Sequence, residues 1–188
     1  MSRIKGVTLI EIVRVLRKNR VEAEALVPAA YHGYLRDRLL ANEWYPEEDY
    51  LVLLKALGAL LRPAISGDVW EFIGETGAEQ DFGGVYSAVV RKHDPWSSLM
   101  MADKIWKLYR DTGRLTVTRE GPGKARVELS AYPSVCPEVC GTVTGYLKKL
   151  VHACGARDVR VRLLSAQPAN LGPSEWSIEF TARSGKDD

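Results

Sequence analysis

The chain has 188 residues, 46% hydrophobic and 27% charged, which sits within the roughly 100–200 residues expected of one domain and excludes a disordered chain too polar to build a core. Its 26 Lys and Arg against 24 Asp and Glu leave a net charge of +2. The two signs are interspersed, with no basic stripe of the kind that phosphate contacts require, so no nucleic-acid partner is expected.

In chain order, Leu9, Ile12, Val13 and Leu16 recur at helical spacing, with Thr8 as a candidate cap and Glu11 three residues later. A second amphipathic stretch, from about Val21 to Leu40, sets Leu26, Ala30, Tyr34 and Leu35 against Arg36, Asp37 and Arg38. Pro28 predicts a break or kink there, because proline lacks the N–H donor and clashes with the preceding turn. Pro46, followed by Glu47, Glu48 and Asp49, reads as the start of a helix whose dipole those acids complement, ending near Arg62-Pro63.

Ser66-Gly67-Asp68 reads as the next cap. The apolar residues from Val69 to Val90, with Gly83-Gly84 between them, predict two helices hinged at that pair or a close backbone approach. Asp94-Pro95 opens a further helix carrying Trp96, Leu99, Met100, Ile105, Trp106 and Tyr109, which Gly113 ends. From Arg114 the period changes to two. Leu115/Val117 and Val127/Leu129 flank a Gly121-Pro122-Gly123-Lys124 turn, a β-hairpin.

Pro133 to Ala153 returns to helical spacing, with Gly155 as the stop. Val159/Val161/Leu163 and Trp176/Ile178/Phe180 are two more alternating runs. Strands apolar on one face predict an α+β fold: an N-terminal helical layer packed on a four-stranded antiparallel sheet formed by a C-terminal ββαββ unit. One domain is expected over 1–183, with a disordered tail at 184–188.

Glu11 and Arg14 interrupt the first apolar stretch before it could serve as a secretion signal. Leu51–Leu61, split by Lys55, falls short of the ~20 residues that span a bilayer. Cys136, Cys140 and Cys154 make an odd count in a chain too large to need disulfides, which points to a reducing, cytoplasmic compartment. Zinc needs four ligands, so these cysteines read as small buried hydrophobes and no metal is expected.

No nucleophile elbow, metalloprotease helix, phosphate loop or dinucleotide fingerprint is present, so nothing argues for an enzyme. The heavy aromatic content has two readings: a filled core, or an apolar pocket between helices and sheet lined by Trp70, Trp96, Met100 and Trp106. Gly141-x-x-x-Gly145 admits a close backbone, either for sheet packing or for a dimer contact. Gly74-x-x-Gly77 reads as helix packing.

Four segments carry a resemblance: Ile4-Lys5-Gly6, Trp44 to Tyr50, Trp106 to Gly113, and Gly141-x-x-x-Gly145 before Gly155. With the element order, they resemble the fold of haem-nitric-oxide-binding domains, 4-vinyl-reductase-type domains and the Bet3-like subunits of TRAPP tethering complexes. More closely, the chain resembles an uncharacterised myxobacterial paralogous family related to them. Haem-binding members carry an axial histidine on the helix before the first strand and a Tyr-x-Ser-x-Arg motif after the second. Here Pro95–Asp111 holds no histidine, His93 lying just before it, and the motif position reads Tyr132-Pro133-Ser134-Val135-Cys136 without the arginine.

No haem or other cofactor is therefore expected. The resemblance implies a non-enzymatic ligand-sensing or regulatory domain that takes a small apolar molecule between helices and sheet, with Tyr132 added to the lining. The alternative is a TRAPP-like scaffold or adaptor acting as a homodimer with no ligand.

Overall fold

The computed structural model describes residues 2–84, 90 and 94–182. Val85, Tyr86 and Val89, His93 and the expected tail lie outside them. The chain forms two compact units, Met1–Val69 with Lys107–Thr112, and Trp70–Trp106 with Gly113–Asp188.

The first unit opens with a short strand, β1 (Arg3–Lys5), paired antiparallel with β2 (Trp44–Pro46). The sequence pattern does not announce this ribbon, because three-residue strands carry too little alternation to read. Helix α1 (Gly6–Lys18) leaves β1 directly and buries the expected stripe of Leu9, Ile12, Val13 and Leu16. Its N-cap is Lys5, without a side-chain cap bond, so Thr8 falls inside the first turn and is not the cap. Glycine is required at position 6, since a Cβ there would run into the Leu40 carbonyl oxygen.

Pro28 breaks the next stretch as expected, into α2 (Arg20–Leu26), a 3-10 turn at Ala29–Tyr31 and α3 (His32–Arg36). The single stripe drawn through it does not survive: Leu35 is buried, but Leu26 and Ala30 are exposed. A change of axis at the proline gives each short helix its own inward face. Helix α4 (Glu47–Leu61) buries Tyr50, Leu53, Leu54, Ala56 and Leu57 and closes in a 3-10 turn at Arg62–Ala64.

The second unit holds α5 (Val69–Gly83) and α6 (Pro95–Leu99), whose Asp94 cap accepts the Ser97 N–H at 3.0 Å. The expected long helix is in fact two. Met101 N–H bonds to the Ser98 carbonyl at 3.1 Å, a tighter turn that interrupts the α ladder before α7 (Ala102–Tyr109). Helix α7 stops at Tyr109, four residues before the expected stop at Gly113, because Arg110 pairs with Ile4; Gly113 itself takes φ 85° just before β3.

The sheet comprises β3 (Arg114–Gly121), β4 (Lys124–Ser130), β5 (Arg157–Ser165) and β6 (Ser174–Thr181), antiparallel in the order β3-β4-β6-β5. Between β4 and β5 runs α8 (Pro137–Ala153). This is the ββαββ arrangement read from the sequence, and the α+β class with it. Leu115 stands opposite Leu129, Val127 opposite Trp176, and Val161 opposite Ile178. The pleat therefore gathers all of these on one side.

Helix α8 starts at Pro137 and not at Pro133. Cys136 is its extended N-cap, and Val135 precedes the helix. On one side of α8 the Trp176 indole N–H donates to Thr144 Oγ1 at 2.9 Å, tying helix to sheet. On another side α5 crosses it. A Cβ at Gly145 would collide with the Glu71 carbonyl, one at Gly141 with Trp70, and one at Gly74 with the Thr142 carbonyl, whereas Gly77 has nothing within 4 Å. The paired glycines of α8 thus serve an internal helix crossing, neither sheet packing nor a dimer contact.

Candidate functional site

All five residues expected at a ligand site fall in the second unit, but in different places. Trp106 on α7 and Tyr132 after β4 meet edge to face, with ring centroids 5.1 Å apart at 85°. Both are buried. Gly113 makes this pair possible, because a Cβ there would lie 2.8 Å from Trp106 Nε1 and 3.1 Å from Tyr132 Cβ. Ala131, at φ 53°, takes the left-handed turn that immediately precedes Tyr132.

Trp96 on α6 belongs to a second cluster. Its ring tilts against Phe180 of β6 at 5.3 Å, and the Arg119 guanidinium of β3 stands 4.5 Å from its centroid. Phe180 was legible as a dry-face strand residue through its alternation with Trp176 and Ile178, yet not as a partner of Trp96, which is remote in sequence. Trp70 is half-buried, its Cβ set against Gly141 at the crossing of α5 and α8. Met100 is 63% exposed at the break between α6 and α7, and takes no part in either cluster. The expected set is thus divided between two ring pairs, Trp106–Tyr132 and Trp96–Phe180, with Trp70 and Met100 in neither.

The cysteines behave as small apolar groups. Cys140 and Cys154 are buried and Cys136 half-buried. Burial, helped by Glu138, pushes the Cys140 thiol up, away from the reactive thiolate. Among the described residues no three His, Cys, Asp or Glu side chains gather as metal ligands. On the solvated sheet face Arg126 bonds to Glu120 and Glu175, each at 2.7 Å. No single helix among the described residues is long and apolar enough to cross a membrane.

One buried polar centre escaped the sequence reading. Glu47, expected only to face the start of α4, is 1% exposed in the first unit. Its carboxylate accepts the Ser2 hydroxyl and, at 2.9 Å, the Arg110 Nε–H. Ser2 Oγ also lies 2.5 Å from Thr112 Oγ1. Three segments far apart in sequence meet at one carboxylate, and no local pattern could have announced it.

No protein-family model matches the chain, and no curated protein matches it. Its fold is nevertheless that of solved H-NOX structures. It is similar to an H-NOX protein studied for the function of heme distortion in that family, with a TM-score of 0.70 and 12% identity over 98% of this chain and 100% of the other. A mutant of the T. tengcongensis H-NOX gives a TM-score of 0.68 and 13% identity over 94% and 97% of the two chains. An oxygen-binding H-NOX domain related to soluble guanylate cyclases, in its oxygen complex, gives 0.64 and 15% over 98% and 100%. The chain thus has the H-NOX-like fold along nearly its whole length.

The described residues do not fit a haem held by an axial imidazole and an arginine clamp. The second unit's described residues offer His152 as their imidazole, and it is exposed in the last turn of α8. At the arginine position Cys136 caps α8 with its thiol half-buried. The Tyr132 ring is closed against Trp106.

Proposed function

We propose that this chain is a non-enzymatic small-ligand-sensing domain, taking a small apolar molecule between the helices and the sheet of the second unit, beside Trp96, Trp106 and Tyr132, and using no haem. The observation that carries this reading is the near-full-length likeness to H-NOX structures, one of which is described as oxygen-binding. The Trp106–Tyr132 and Trp96–Phe180 ring pairs support an apolar ligand. The kinship with the myxobacterial paralogous family belongs to the same proposal. The scaffold alternative loses support, since the glycines that could have served a dimer face are occupied by α5.

Native mass spectrometry of freshly purified protein tests the reading. A retained apolar adduct that Trp106→Leu reduces is the expected result. A Soret band on purified or haem-reconstituted protein would overturn the haem-free part, and protein without any adduct under gentle ionisation would overturn the ligand.

A further inference from the structure

In the first unit, α1 and the residues around the end of α3 border an open groove of about 540 Å3. Its charged lining is Arg14, Arg17 and Lys18 from α1 with Arg36 and Arg38, and no acid lines it. The whole chain carries 26 cations against 24 acids, so a lining with five cations, of which Arg14 is paired with Glu11 from outside it, is a local segregation that the overall charge does not require. Two chain segments contribute to it. On α1, Ile10, Val13, Arg14, Arg17 and Lys18 fall at i, i+3, i+4, i+7 and i+8, one helix face, and Arg36 and Arg38 come from roughly twenty residues further along.

The groove is built and not merely adjacent. Arg17 Nη2 donates to the Tyr34 carbonyl at 2.9 Å and to the Asp37 carbonyl, which pins α1 to the opposite wall. Arg14 bonds to Glu11 at 2.8 Å. Lys18, Arg36 and Arg38 make no salt bridge among the described residues. Ile10 and Leu39 form an aliphatic wall beside them, backed by the buried Val13. Gathering like charges costs Coulomb energy that a bound anion removes, and guanidinium groups match phosphate oxygens in bidentate geometry. The volume lies within the ~300–1,000 Å3 typical of small-molecule sites.

We propose that this groove binds a soluble phosphate-bearing small molecule, its phosphates held by Arg14, Lys18, Arg36 and Arg38 and its organic part laid against Ile10 and Leu39. The site lies wholly in the first unit and does not rest on the sensing reading given above.

Isothermal titration with ADP, pyrophosphate and adenosine tests it. ADP and pyrophosphate bind saturably at low salt, adenosine does not, and affinity falls as salt screens the charges. Arg36→Glu with Arg38→Glu weakens ADP by about tenfold or more, since each ~1.4 kcal/mol of lost attraction is a factor of ten. Lys18→Glu alone weakens it less, and Arg160→Glu on the solvated sheet face leaves it unchanged. Unaltered melting temperatures establish that the variants fold. The proposal is overturned if wild type binds neither phosphate compound, if the charge reversals leave the affinity unmoved, or if the protein sediments with phosphatidylcholine–phosphatidylglycerol vesicles while ignoring pyrophosphate.

Discussion

The first unit buries a charge and the second buries rings. Glu47, Arg110, Ser2 and Thr112 satisfy one another in the first, while around Trp176, Ile178, Val127 and Leu150 in the second the polar link is the indole-to-threonine bond between β6 and α8. The difference matters physically. An apolar core accepts any residue of suitable volume, whereas a buried carboxylate accepts only a geometry that completes its hydrogen bonds. The ionic centre therefore specifies which segments meet, namely the N-terminal strand, the start of α4 and residues 107–112, and the apolar centre supplies most of the burial.

The sharpest way to break this contrast is Glu47→Ala, which leaves the Arg110 guanidinium, 10% exposed, without its acid. Chemical denaturation should register a loss of ~3–5 kcal/mol. Replacing the pair together, Glu47→Leu with Arg110→Met, should recover most of that loss. If it does not, the ionic centre contributes packing rather than charge pairing.

A smaller effect probes the second unit. Gly145→Ala places a methyl against the Glu71 carbonyl and should cost about 1–3 kcal/mol as α5 is forced off α8. Gly77→Ala, with open space at its Cβ, should instead stabilise by about 0.5–1 kcal/mol through reduced backbone freedom in the unfolded chain. Equal and opposite melting shifts are not required, but opposite signs are.

The smallest effect lies at the edge of the first unit, where the Tyr34 hydroxyl donates to Asp49 Oδ2 at 2.5 Å. Partial burial first, then the bond to Asp49, holds this phenol well above its ordinary range. A group whose folded pKa is raised contributes stability below its unfolded pKa and loses it as pH rises. The contribution should therefore be intact below the unfolded phenol value of ~10 and fade above it. Ultraviolet titration of tyrosinate in wild type and Asp49→Asn checks this, with Tyr34 ionising at lower pH in the variant.

Much of the fold was legible because it follows local rules. Asp94-Pro95 capped α6 as expected, Pro28 broke the second stretch, Gly113 and Gly155 took positive φ, and the period-two runs of β3, β4, β5 and β6 paired with their apolar residues on one face. The failures arose where local signals tie. Met100 and Trp106 both fit one amphipathic helix from Pro95, but the tight turn at Ser98–Met101 sent the first outward and left the second buried. Gly74 and Gly77 read alike, and only the first meets the backbone of α8.

Hydrophobic period, caps and turn residues determined, by themselves, the order and type of the larger elements and the dry face of the sheet, because each depends on residues within one or two turns of one another. Tertiary structure alone decided which aromatic faced which, that Glu47 would be buried on Arg110, and that cations from α1 and from the end of α3 would share a groove. Those outcomes depend on how distant segments are brought together, and side-chain spacing along one helix or strand holds no record of its partner.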